Sequence, residues 1–87
     1  MSEKPLRFSR HARNRMRKGE VRRNVVELCV DAPEFVTDSI HGRKNHWRRH
    51  HWRRHDEGYL RVTIAEEDEA LVVVTVTIRR KLPEDVR

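Results

Sequence analysis

Cysteine is almost missing from this sequence. The single copy, Cys29, excludes an intrachain disulfide, and the paired CxxC spacing of a zinc ribbon is absent. Long apolar runs are missing too. No stretch approaches transmembrane length, and the opening Met-Ser-Glu-Lys-Pro carries no secretory core, so a cytoplasmic protein without a membrane partner is expected. Only 36% of the 87 residues are apolar, which leaves material for one compact core and no second one. Acid is absent altogether from residues 41–55.

What is present is charge, at 39% of the chain, with a formal net charge of +6. It is segregated. Residues 1–30 hold nine Lys or Arg against three Glu. Residues 41–55 hold six Lys or Arg and five His, and residues 56–70 hold six acids against one Arg. Two basic regions around an acidic one suggest an anion-binding face, with nucleic acid the first partner to consider. The alternative is a solvated surface that keeps a small protein soluble.

The one long uncharged run, residues 71–78, is Leu-Val-Val-Val-Thr-Val-Thr-Ile. Branching at Cβ favours the extended backbone, so this run predicts a central strand. Leu6-Arg7-Phe8 suits a short first strand. Ser9 is a good N-cap for a helix over residues 10–18, stopped by Gly19. Val21, Val25, Leu28, Cys29 and Ala32 share one face of a second helix over residues 20–31, ended by Pro33. Two helices joined by a glycine corner should pack as a pair. Residues 34–40 read as a strand, His41-Gly42 as a turn, and residue 43 onward as the return strand. Asp56-Glu57-Gly58 reads as the next turn, and residues 59–64 as a strand with Leu60, Val62 and Ile64 on one face. Residues 66–69 make a charged hairpin tip, and 81–87 a tail that frays from Pro83. The fold class is therefore α+β: one domain over residues 1–87, with two N-terminal helices on one face of a three- to four-stranded twisted antiparallel sheet.

His46-Trp47-Arg48-Arg49-His50 is followed at once by an identical copy, His51-Trp52-Arg53-Arg54-His55. A strand has period two, so a shift of five inverts facing. Trp47 and Trp52 cannot occupy equivalent environments in one strand. One copy should fit the sheet and the other extend as a hairpin arm, which could also be exchanged between protomers.

Phe8-Ser9-Arg10-His11-Ala12-Arg13-Asn14-Arg15-Met16 carries the pattern Phe-Ser-x-His-Ala-x-x-Arg-Met. With Pro33-Glu34-Phe35-Val36, Gly42-Arg43-x-Asn45 and the strands at 60–63 and 72–75, it resembles a small bacterial family of unknown function. That family resembles in turn the RelE/ParE-like toxins of the barnase–EndoU–colicin–RelE fold. The resemblance implies helices packed on a twisted antiparallel sheet and metal-independent RNA cleavage in some members. In others it implies binding of gyrase or a partner protein, such as an antitoxin. Members often carry Arg-Gly-Ile-Ser between the helices, where Ser caps the second. Here the corner is Lys18-Gly19-Glu20-Val21-Arg22, without that cap.

Metal-independent RNA cleavage needs a base, an acid and cations around the phosphate. Imidazole suits either proton-transfer role, and the guanidinium fork suits the phosphate. His11 and Arg15, at i and i+4 on one helix face, and His46 are the candidate catalytic residues. The competing reading has His11 bonding locally and Arg15 neutralising a carboxylate of the sheet. Arg43, Asn45, Arg48, Arg49, His50 and Trp52 are the candidate RNA-binding residues, since single strands stack bases on rings and meet Arg with phosphate. The plainer reading there is turn chemistry, one core Trp and another lying over Arg stems. The spacings His46/His50 and His51/His55 could grip a metal on a helix. In a strand those positions lie about 13 Å apart, so no metal or other cofactor is expected. Cys29 reads as a buried small hydrophobe.

The leading expectation is a toxin-like protein that binds RNA or the ribosome, with endoribonuclease activity as its sharper form. Two alternatives stand beside it. One is a non-catalytic module for an acidic protein partner. The other is a basic domain that self-assembles, as a homodimer through a strand edge or through its His-rich arm.

Overall fold

The computed structural model describes residues 4–51 and 57–83. Strand β1 (Leu6–Phe8) leads into helix α1 (Arg10–Gly19) and helix α2 (Arg23–Asp31). Strands β2 (Phe35–Asp38), β3 (Lys44–His51), β4 (Glu57–Glu66) and β5 (Leu71–Arg79) follow, with a 3-10 turn at Ile40–Gly42 between β2 and β3. The fold is α+β, as expected, but the sheet has five strands and is mixed. Its order is β1-β5-β4-β3-β2, with β1 parallel to β5 and the other pairs antiparallel. The expectation of a three- to four-stranded antiparallel sheet missed β1's place in it. Both helices and three strands separate β1 from β5 and no hairpin links them, so a parallel pairing is open to this edge. The run at 71–78 therefore lies second from one edge, and β4 takes the middle.

Period two divides the sheet into two faces. On one face Leu60, Val62 and Ile64 of β4 meet Val73 and Val76 of β5, and Ala12, Val21, Val26, Cys29 and Val30 pack onto them. Val62, Val73, Val26, Cys29 and Ala12 are wholly inaccessible to solvent. Both helices thus feed one core, but on different strands. Helix α1 lies against β5, whereas α2 lies against β4 and β3, so the two helices expected to pack as a pair cover different strands.

The N-terminus of α1 is built as its sequence suggests. The Ser9 hydroxyl accepts from the Ala12 N–H at 3.0 Å and donates to the Val74 carbonyl at 2.8 Å. Beside it the β4–β5 register shifts at Thr63/Ile64, and Val74 has no partner on β4. The other end differs from expectation. Gly19 is the last helical residue, and Glu20 takes the left-handed conformation beyond it, at φ 55°. The Val21 N–H then bonds to the Met16 carbonyl, and the buried Val21 side chain enters the core outside any helix. Helix α2 consequently begins at Arg23 rather than at residue 20. Its N-cap, Arg22, makes no side-chain capping bond, in keeping with the missing Ser.

The turn expected at Asp56-Glu57-Gly58 is displaced. Glu57 and Gly58 already belong to β4 and pair with His51 and His50, so β3 runs on through the first repeat copy to the start of the second. The first copy lies in β3, and of the second copy only His51 is described. Trp52, a predicted RNA-binding residue, and tail residues 84–87 lie outside the described residues.

A left-handed conformation costs a non-glycine residue about 1 kcal/mol, and Glu20 enters no ion pair among the described residues. Glu20→Gly should therefore raise unfolding stability by about 0.5–1 kcal/mol in urea melts. A loss would show that Glu20 holds the corner through its side chain.

Candidate nucleic-acid interface

The sheet face away from the core carries the other half of the alternation. Across it the register aligns Phe35, Trp47, Arg61 and Thr77 in one row. Thr37, Asn45, Thr63 and Thr75 form the next row, and Arg49, Tyr59 and Arg79 the row on the other side. Trp47 is only 2% exposed yet does not belong to the core cluster beneath the helices. Its indole N–H donates to Thr37 Oγ1 at 2.9 Å. The guanidinium of Arg61 lies over its ring, 5.8 Å from the centroid. Beside them the Thr63 hydroxyl donates to Asn45 Oδ1 at 2.7 Å.

Arg61 is crowded. One of its terminal nitrogens donates to Thr77 Oγ1 at 3.3 Å, while its buried Nε has no hydrogen-bond partner among the described residues. Burial disfavours its charge most, and the neighbouring Arg79 and Arg15 guanidiniums add repulsion. A guanidinium nonetheless stays protonated at neutral pH. Arg15, Arg61 and Arg79 form no ion pair among the described residues. Arg15 thus neutralises no described carboxylate of the sheet. From α1, packed along β5, its charge is felt by Arg61. At the far end of this face Arg49 is held above the usual arginine range. A bond to the Tyr59 hydroxyl contributes most, followed by the Glu34 and Glu57 carboxylates.

The predicted site residues divide between the two faces. Asn45 and Arg49 lie on the open face, whereas Arg15 stands on α1 beside Val76 and Ile78, on the helix side. His46, Arg48 and His50 lie on the opposite face of β3, toward α2. His46 Nδ1 lies 3.1 Å from the Val30 carbonyl, which only accepts, so Nδ1 carries the proton. Arg48 donates to the Ala32 carbonyl at 2.6 Å and so closes the C-terminus of α2. Arg43 follows the 3-10 turn, half-buried, its N–H bonded to the Ile40 carbonyl. His11 is exposed near the start of α1. Because β4 separates β5 from β3, His11 and His46 are not brought together. Among the described residues no three His, Cys, Asp or Glu side chains form a set that could hold a metal ion.

Cys29 is fully buried, and its thiol donates to the His46 carbonyl at 3.3 Å. Burial pushes that thiol up to about 12, which removes it as a nucleophile.

Tyr59, Arg61, Thr77 and Arg79 do not figure among the candidates read from the sequence, although the signal is there. Once Leu60, Val62 and Ile64 are assigned to the core, alternation puts Tyr59, Arg61 and Thr63 on the other face.

Fold and surface together define a small α+β protein with an open sheet face of arginines, hydroxyls and aromatic rings. The chain belongs to the family described as Domain of unknown function (DUF4258), which matches residues 8–78. No curated protein and no solved structure matches it. No helix among the described residues is long and apolar enough to cross a membrane.

His50 is held below the usual histidine range, first by burial and then by the adjacent His51. The unfolded chain therefore takes up this proton first, and the resulting stability is complete above about pH 6.5 and lost as pH falls below it. Urea midpoints should drop more between pH 7.5 and 5.5 for the native chain than for His50→Gln. Equal drops would remove His50 from the pH dependence.

Proposed function

We propose that this protein binds single-stranded RNA across the open face of its sheet. The observation that carries the reading is the set of arginines on that face, Arg61 over Trp47 with Arg49 and Arg79 in the neighbouring row; the like charges of Arg61 and Arg79 repel, and neither meets a carboxylate among the described residues. An anion laid over them relieves that repulsion. Tyr59 offers a partly accessible ring, and Asn45, Thr63, Thr75 and Thr77 offer hydrogen-bonding groups. Cations with a ring and hydroxyls suit a strand whose bases are unpaired. The resemblance of the opening motif to RelE/ParE-like toxins, expected from the sequence, would admit this partner class beside a protein one. The proposal is binding rather than scission, because the histidines considered for acid–base work, His11 and His46, stand apart.

A second reading rests on the other side of the sheet order. Strand β2 pairs only with β3 among the described strands, and next to its outer edge Phe35, Val36 and Ile40 are 37%, 51% and 70% exposed. An open edge with exposed apolar side chains suits self-association. Light scattering should then report a dimer that Val36→Lys returns to monomer. A native chain monomeric at about 100 μM would reject this reading, a range where weak association still registers.

For RNA, fluorescence anisotropy with a 12-nucleotide strand and its duplex makes the test. The single strand should bind more tightly. Arg61→Gln and Arg79→Gln should each weaken binding about tenfold and flatten the salt dependence by roughly one phosphate contact. Unchanged affinity in the double variant would sink the reading. Loss of cleavage in His11→Ala and His46→Ala, were any cleavage observed, would restore their catalytic assignment.

A further inference from the structure

A second cationic site lies on the helix side, at the β1 edge of the sheet. A groove of about 400 Å³ is lined by Leu6, Phe8 and Met16 and by Arg7, Arg13 and Arg23. The three apolar side chains pack against the core from its margin and give the groove a dry floor.

Arg23 is already set in place. Its guanidinium lies over the Phe8 ring, 4.9 Å from the centroid, and its Nε donates to Glu27 Oε1 at 2.9 Å. Those two contacts orient the fork over the ring, with the side chain 66% accessible to solvent. Its terminal nitrogens have no acceptor among the described residues, and Arg7 and Arg13 form no ion pair there. Glu27 answers one of the three positive charges, which leaves Arg13 and Arg7. Alternation starts Arg7 on the side of β1 opposite Leu6 and Phe8, so it stands at the groove's outer rim.

The ligand that fits carries two negative charges, oxygens for a guanidinium fork, and a body that prefers a dry floor. A phosphate monoester supplies the first two. A carboxylate would leave one cation unanswered, and inorganic phosphate would leave the floor wet. A flat base supplies the body, since it rests on aliphatic side chains and stacks against guanidinium planes. The volume lies within the range of small-ligand sites. We propose that this groove binds a nucleoside 5′-monophosphate, either free or as the 5′ end of an RNA strand. The side chains of Leu6 and Phe8 face the helices, so the groove is distinct from the open face and stands without it. Only the RNA-end form rests on the reading of the protein as an RNA binder.

Calorimetry on the full chain tests this with adenosine 5′-monophosphate, adenosine and inorganic phosphate. The mononucleotide should bind at least tenfold more tightly than either of the others. Arg13→Gln and Arg7→Gln, both at exposed positions, should each cost tenfold or more while circular dichroism stays unchanged. No mononucleotide binding, equal binding of phosphate alone, or full affinity in both variants would overturn the site. An Arg61→Gln/Arg79→Gln chain should keep its mononucleotide affinity, which separates failure here from failure of the open face. A 5′-phosphorylated strand that binds that chain more tightly than its 5′-hydroxyl counterpart assigns the groove to RNA ends. Equal strands with mononucleotide binding intact assign it to free nucleotides.

Discussion

The structure depends on the alternation of β4. Leu60, Val62 and Ile64 point to one side of this strand and complete the core with β5 and the helices. Tyr59, Arg61 and Thr63 point to the other and meet Arg49, Trp47 and Asn45 of β3. Core and candidate interface are thus two faces of one ten-residue strand. A one-residue slip would exchange them, burying Arg61 beneath the helices and exposing Leu60. A second anchor is the bond from Ser9 to the Val74 carbonyl, beside the register shift, which docks α1 beside β5. In a chain with so little apolar surface, these two features set where the cations of the sheet and of α1 lie.

Much of this was legible in the sequence. The β-branched run at 71–78, the alternation at 60–64 and the Ser9 cap each follow from local rules, and each formed. Two things were not legible. One was that β1 joins β5 in parallel. Three residues carry too short a pattern to name a partner, and the pairing is extended by backbone bonds from the Leu71 N–H to the Pro5 carbonyl and from the Ser9 N–H to the Val73 carbonyl. The other was the start of α2. Val21 shares the helical period of the residues after it, yet Glu20 turns the chain left-handed, and Val21 reaches the core from a non-helical corner. Periodicity marks which side chains are buried more faithfully than where a helix begins.

The candidate site was legible by type and less so by position. Arg49 and Asn45 sit on the open face, but Arg48 and His46 serve α2 by bonding the carbonyls of Ala32 and Val30. The first repeat copy therefore splits its cations by parity. Its odd-numbered members, Trp47 and Arg49, belong to the open face, and its even-numbered members face the helix side. Charge counting along the chain could not make that division, because it treats neighbours as sharing a surface. The strand's pleat sends them apart.

The same parity explains why Trp47 can be buried on a face that no described helix covers. Arg61 from the next strand lies over it, Phe35 stands opposite it in register, and Thr37 takes its N–H. An arginine that serves as the lid of a tryptophan is fixed in place and partly dry. Its charge then cannot be met by water as fully as that of a mobile side chain. That is the physical source of Arg61's depressed basicity, and Arg79 and Arg15 increase it. A neutral lid of similar size would cover Trp47 without this repulsion. The guanidinium is thus unfavourable for the isolated fold, and the anion proposed to bind this face would offset that cost at Arg61 and its neighbour Arg79.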